Sequence, residues 1–435
     1  VKVLVVGGGG REHALCWRLA QDPTVTRVLA APGNAGIAEV AECFPAVAAD
    51  DVVAIVDLVE RQEVDLTVVG PEVPLVAGLA DELRRRKRAV FGPSAAAARI
   101  EGSKAFAKQV MARRGVPTAR SGAFGDIEEA VRFVDELGGA AVVKADGLAA
   151  GKGVVVAPDR ETAVRAIEDC LVAGAFGEAG RIVVVEEILE GAEVSMLAVT
   201  DGKGSCVLLD AAQDHKRIGD GDTGPNTGGM GCYSPVPFVD QETATWVLDN
   251  VLAQIVDELR PYRGVLYAGL MLTAAGPKVL EFNCRFGDPE AQVLLPRMPY
   301  RVASLLRACA TGRLAYEAGN AGFDDGAAVT VVLASEGYPG SYPTGLPIIG
   351  VDDARAHEGV TVFHAGTARD PDGRLVTAGG RVLAVTGQGG SISEARERAY
   401  RGVAEIHFEG MQFRTDIAAH AAADAAANAA EGART

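Results

Sequence analysis

The stretch VVKADGLAAGKGVVVA, residues 142–157, decides how this chain folds around its chemistry. β-branched runs flank a turn bearing Gly147, Gly151 and Gly153, so a strand carrying Lys144 leads into a second strand. This is not the phosphate loop that opens a helix. The step from Gly147 to Gly151 is one residue short of GxxxxGK, Lys152 is followed by glycine, and a strand comes next. Two readings stand for such a hairpin. It is either a flap whose amides fold over phosphates with Lys144 neutralising charge beneath, or an ordinary surface hairpin.

Working outward, helices over 128–137 and 162–170 and the strand RIVVVEEIL complete a small α+β lobe over about 117–187. Upstream, Ser103 caps a helix that carries Phe106, Val110 and Met111 and stops at Gly115. Before it, KVLVV, RVLAA, DLTVVG and AVFG alternate with helical stretches, a βαβ pattern that predicts a parallel sheet. The loops after these strands, at 7–10, 32–34, 70–72 and 92–93, then share one ligand-binding edge. Downstream come strands SMLAVTD and CVLLDA, an irregular stretch over 213–237, a helix over 242–259, and strands LYAGLML and KVLEFN. A helix over 302–310 and a polar boundary over 311–326 follow. AAVTVVLAS, VTVFHAGT, GRVLAVTG and a helix over 393–404 then predict a smaller α+β domain before an alanine-rich tail.

Composition narrows the class of function. A chain of 435 residues suits about three domains. Its net charge of −16 disfavours nucleic acid as a partner, and no apolar run approaches the roughly 18 residues of a membrane span. No secretory leader is legible at the start, so the expectation is a cytoplasmic protein, and seven scattered cysteines without a CxxC pair predict reduced thiols. The basic run over 84–88 closes a helix, where cations complement the dipole.

Three further motifs carry chemistry. In VLEFNCRFGDPEAQV, Glu281, Asn283 and, if the strand continues, Arg285 are two residues apart and project from one strand face. A carboxylate and an amide oxygen suit Mg²⁺ or Mn²⁺, and an adjacent arginine suits a transferring phosphoryl group. QDHKRIGDGDTGPNTGGMG, residues 213–231, is polar and glycine-dense, which predicts an active-site loop. His215 within it reads on its own as a structural histidine. The opening GGGGREHA fails the dinucleotide fingerprint, because Glu12 stands where the third glycine belongs and the second strand ends without a ribose-binding acid. Phosphate binding by these loop amides and a simple tight turn both remain open.

Together, GGGREHAL, PGNAG, GPEVPL, EGSKAF, VVKADGLAAGKGV, the 213–231 string and EFNCRFGDPEAQ resemble the phosphoribosylamine–glycine ligases over residues 2 to about 415. The resemblance implies an α/β and α+β multidomain protein: a parallel-sheet pre-ATP-grasp domain over 1–102, a two-lobed ATP-grasp domain over 103–325, a C-terminal α+β domain over 326–425 and a tail over 426–435. It implies that ATP, glycine and 5-phosphoribosylamine are consumed by a monomer, with glycyl phosphate as intermediate. Carried onto this chain, Lys104, Lys144, Gly151 and Gly153 would contact the nucleotide phosphates. Glu186, Glu187 and Ile188 would meet adenine, and Glu193 the ribose. Glu281 and Asn283 would hold the metal, with Arg285, Asp214 and Lys216 catalytic. Gly9, Gly10, Glu12, Glu72, Asn226, Thr227, Gly228, Gly229, Gly287 and Asp288 would surround the other substrates. Two departures stand out: Gly8 replaces the usual Asn or Ser, and the strand YAGLML lacks a further acid for a second metal. The rival readings separate by assay. A related ligase or carboxylase would release ADP without glycine, an inert nucleotide-binding module would release no phosphate, and a dehydrogenase would change reduced-cofactor absorbance.

Overall fold

The computed structural model describes residues 1–148, 153–173, 177–298, 301–316 and 323–423. Gly151, Lys152 and the tail expected over 426–435 lie outside the described residues. No described helix is long and apolar enough to cross a membrane.

The first hundred residues form a five-stranded parallel sheet in the order 42–43, 27–32, 2–7, 66–69, 90–91. Val3 to Val6 are completely buried, as a strand covered on both faces requires. The order reverses between Lys2–Gly7 and Leu66–Val69, so the loops that follow these two strands diverge and leave a crevice. Ser103 then caps helix Lys104–Arg114 by accepting the Phe106 N–H at 3.0 Å, and Gly115, at φ 65°, ends it.

The flap lobe is a four-stranded antiparallel sheet in the order 121–124, 183–186, 141–145, 154–157, backed by helices Ile127–Glu136 and Arg160–Leu171. A second antiparallel sheet orders strands 206–208, 192–201, 263–273 and 276–283. Its last pair carries a bulge: Gly269 faces Glu281 while Leu270 faces Val279. Leu280 is the extra residue, and its carbonyl accepts Lys144 Nζ at 3.1 Å.

The stretch 213–237, expected to be irregular, contains four short strands. Two of them, Gln213–Asp214 and Gly231–Ser234, join the C-terminal sheet, whose order is 213–214, 231–234, 327–334, 381–389, 360–364. The sheet therefore crosses the boundary expected at 325/326. Short polar strands carry no period-2 apolar signal, which is why they read as loop. The helix expected over 242–259 is interrupted by a π-turn, Leu248–Leu252.

The parallel-sheet domain also docks on the C-terminal domain through histidines. The His364 N–H donates to His13 Nδ1 at 2.7 Å, and Asn34 Nδ2 donates to the carbonyls of Gly8 and His364. Arg355 lies 3.1 Å from His364 Nε2, so that nitrogen accepts and Nδ1 carries the proton facing Thr367 Oγ1 at 3.0 Å. Burial, reinforced by Arg355, pushes His364 down to about 3. The native ring is neutral, whereas the unfolded one takes up a proton near pH 6.5. Stability is therefore lost as pH falls below that value, by about 1.4 kcal/mol per pH unit for this ring. Urea unfolding of His364→Gln should show a stability–pH slope shallower by that amount between pH 6 and 4. Equal slopes would show that the ring is not held neutral.

Candidate active site

A cleft of 1310 Å³ opens where the parallel-sheet edge, the flap lobe, the second antiparallel sheet and the C-terminal domain meet. At its centre Glu281 and Asn283 project from strand Gly276–Asn283 on one face, as their spacing predicts. Glu281 Oε1 lies 3.7 Å from Lys216 Nζ, which also pairs with Glu193 at 3.1 Å. Burial acts to raise the Glu281 carboxyl, but Lys216, Lys144, Lys104 and Arg285 together hold it below the usual carboxylate range. Lys216 stays firmly protonated: burial opposes its charge, and Glu193, Glu281 and Asp214 more than offset that.

Towards the flap lobe the walls are cationic. Lys104 donates to the Gly147 carbonyl at 3.0 Å. Lys144 sits 3.1 Å from Glu186, whose other oxygen is 3.2 Å from Lys108. Lys108 did not stand out in the sequence, yet it lies one helical turn after Lys104, on the same face. Burial, partly countered by Glu186, lowers its ammonium to about 8. Glu186 itself is 2 % exposed and is engaged by these lysines. Glu187 bridges the lobes, pairing with Lys278 at 3.2 Å and accepting the Arg120 N–H at 3.0 Å. Ile188 and Gly153 line the same end.

At the opposite end Arg285 is fully engaged. Its Nη2 donates to Glu101 at 2.7 Å and to Asn283 Oδ1 at 3.1 Å, and its Nε reaches Glu72 at 3.3 Å. Glu101, given no role within EGSKAF, also accepts the Cys284 N–H at 2.8 Å. Asn226, Thr227, Gly228 and Asp288 line this wall. Thr227 donates to the Lys216 carbonyl at 2.9 Å, which ties the glycine-dense loop to its own lysine. The C-terminal domain supplies Arg381, 3.3 Å from Asp288 Oδ2.

Asp214 lies beneath, with Oδ1 buried and without a hydrogen bond among the described residues. Burial and the neighbouring Glu290 push its carboxyl well up, against Lys216 and Arg381. Glu290, which lies within EFNCRFGDPEAQ but was not singled out there, accepts from Ser195 at 3.0 Å and Tyr267 at 2.8 Å to form a buried trio.

Five of the expected substrate contacts do not line the cleft. Glu12 is 2 % exposed. It accepts the Gly9 N–H at 2.7 Å and pairs with Arg11 at 2.6 Å, so its carboxylate caps the first helix. Gly9 is thereby committed to Glu12, and Gly10 packs so that a Cβ would meet Gln292 Nε2 at 2.5 Å. Gly229, at φ 105°, lets the loop close on Asp214 and Pro289, and a Cβ on Gly287 would meet Glu290 at 2.1 Å. Both of these glycines make room for carboxylates. His215, read alone as structural, also lines the cleft: Nε2 accepts the Ala418 N–H at 3.3 Å, and burial, with Arg414 nearby, pushes it down to about 4.

Family models described as phosphoribosylglycinamide synthetase match the chain in three parts: the N domain over 1–101, the ATP-grasp (A) domain over 102–291 and the C domain over 328–420. A phosphoribosylamine–glycine ligase of Streptomyces coelicolor is 53% identical over 428 residues, covering 97% of this chain and 100% of that protein. The trifunctional purine biosynthetic protein adenosine-3 of Gallus gallus is 50% identical over 422 residues, which span 96% of this chain and 42% of that protein. Among solved structures, the phosphoribosylamine–glycine ligase of Thermotoga maritima superposes with a TM-score of 0.83 at 34% identity, covering 96% of this chain and 100% of that one. A biotin carboxylase domain from Hydrogenobacter thermophilus, at 20% identity and a TM-score of 0.74, shares the fold.

Proposed function

This chain belongs to the phosphoribosylglycinamide synthetase family, and from that premise we propose how its cleft performs the family's reaction. The protein is an ATP-dependent ligase that joins 5-phosphoribosylamine and glycine in purine biosynthesis. The observation that carries the site assignment is the strand-borne pair Glu281 and Asn283, within the field of Lys216, Lys144, Lys104 and Arg285.

The pair fits a hard divalent cation, Mg²⁺ or Mn²⁺. Two oxygen donors from one strand, without a cluster of three or more His, Cys, Asp or Glu among the described residues, suit an ion that takes its other ligands from phosphates and water. Such an ion, when bound, screens phosphate charge at the reacting end of ATP. The chain's own residues do the rest. Lys104 and Lys144 offset the triphosphate, the 187–188 hinge receives adenine, and Glu193, held by Lys216, faces the ribose. Glycine carboxylate attacks the γ-phosphorus and ADP leaves. The amine of phosphoribosylamine then attacks the carbonyl carbon of glycyl phosphate, and phosphate leaves. Arg285 stabilises charge on the transferred phosphoryl group, and closure of the flap lobe keeps water from the acyl phosphate.

Phosphate release should require ATP, glycine and freshly prepared phosphoribosylamine together, when each is omitted in turn. Release that persists at full rate without glycine, or without the amine, would overturn the sequence of steps.

A further inference from the structure

Two loops form the substrate wall: 226–229, from the glycine-dense stretch, and 286–290, after the metal-binding strand. They belong to different sheets, and a side chain from a third part of the chain joins them. Arg381 opens the strand Arg381–Gly389 of the C-terminal sheet, and its guanidinium, 21% exposed, enters the cleft. Nη1 donates to the Asp288 carbonyl at 2.8 Å, to the Gly229 carbonyl at 3.5 Å and to the Gly228 carbonyl. Nη2 lies 3.3 Å from Asp288 Oδ2, whose partner oxygen accepts Gln292 Nε2 at 2.8 Å.

The base of Arg381 is itself fixed. Its carbonyl accepts the Gly366 N–H at 2.9 Å, and a Cβ on Gly366 would come within 2.8 Å of that carbonyl. The same domain holds the far side of the loop, because the Gly228 N–H donates to Tyr338 Oη at 2.9 Å. Gly228 is thus gripped through both its carbonyl and its N–H. A planar fork with several donors can serve two loops at once; an ammonium is a single point.

We propose that Arg381 is a positioning residue of the ligase reaction: it sets the spacing between the 226–229 and 286–290 loops, so that Asn226, Thr227 and Asp288 face the substrates in one arrangement. The C-terminal domain is then part of the catalytic apparatus. The proposal rests on the reading of these loops as the substrate wall. It does not involve the nucleotide end, where Lys104, Lys144 and Glu187 take their contacts from the flap lobe and from the strand that carries Lys278 and Leu280.

The test is phosphate release by full-length Arg381→Ala with ATP, glycine and phosphoribosylamine. A misplacement of about 1 Å costs on the order of 10²-fold in rate, so kcat/KM for phosphoribosylamine should fall by about that factor. The KM for ATP should stay unchanged. Millimolar guanidinium should restore part of the lost rate, and ammonium should not. If the alanine variant does not fold, Arg381→Lys and Tyr338→Phe carry the test, each expected to lose kcat/KM for phosphoribosylamine with an unchanged KM for ATP. Wild-type kcat/KM in a folded variant, or a loss accompanied by an equal rise in the KM for ATP, would overturn the proposal. Its failure is distinguishable from failure of the ligase reading, since that reading falls only if the wild-type protein releases phosphate without glycine or the amine.

Discussion

Glu281→Gln should lower turnover by about 10²- to 10³-fold, the scale on which losing one preorganised electrostatic group slows a reaction. The change is isosteric and removes a single charge from a side chain that is 38% exposed to the cleft. Lys216 retains Glu193 at 3.1 Å, so the surrounding frame should persist and the unfolding midpoint should move little. What is lost is the anionic oxygen that, with Asn283, suits a hard cation, while Lys104, Lys144 and Arg285 remain. The turnover deficit should therefore shrink as magnesium is raised, because weakened affinity is a mass-action defect. Activity near that of the wild type at ordinary magnesium would remove the metal assignment.

The legible part of this site is the part written in local spacing. Residues two apart on a strand must share a face, which places Glu281 and Asn283 together, whereas Arg285 lies beyond the end of strand Gly276–Asn283 and reaches Asn283 through its side chain. Of the four loops after the parallel strands, the one at 70–72 supplies cleft residues, Pro71 and Glu72, while the hairpin after Lys144 reads equally as a flap or an ordinary surface hairpin. The wall formed by the 226–229 and 286–290 loops was legible only in half. Arg381 is 93 residues from Asp288 and 153 from Gly228, and neither an isolated arginine at a strand start nor Tyr338 in a turn carries any periodic signal. Ser195 and Tyr267, the partners of Glu290, are hidden for the same reason, since each looks like an ordinary polar residue until three elements pack. Glu12 came only with the family resemblance, whereas a carboxylate three residues after Gly9 is also where a helix start finds its cap, and it accepts the Gly9 N–H.

The same packing predicts what happens at Arg285. Arg285→Met deletes the partner of Glu101, whose side chain is only 7% exposed. Burial already pushes the Glu101 carboxyl up, and Arg285 is its main offset. Without the guanidinium, a buried charge is left uncompensated, and breaking such a pair costs about 3–5 kcal/mol. The sign with pH follows. Glu101 in the variant binds its proton more tightly when folded than when unfolded, so the folded state is penalised at neutral pH and relieved as pH falls towards the unfolded carboxyl value near 4.3. The stability difference from wild type should therefore narrow between pH 7 and 5. Adding Glu101→Gln removes the buried charge while leaving an oxygen to accept the Cys284 N–H, and the double variant should recover most of the lost stability. It should not recover turnover, because Arg285 also reaches Asn283 at 3.1 Å and Glu72 at 3.3 Å, between strand Gly276–Asn283 and the parallel-sheet edge. Urea unfolding and phosphate release measured on the same preparations separate the two effects. If the double variant regains both stability and turnover, Arg285 is a structural brace for Glu101 and has no part in the phosphoryl transfer.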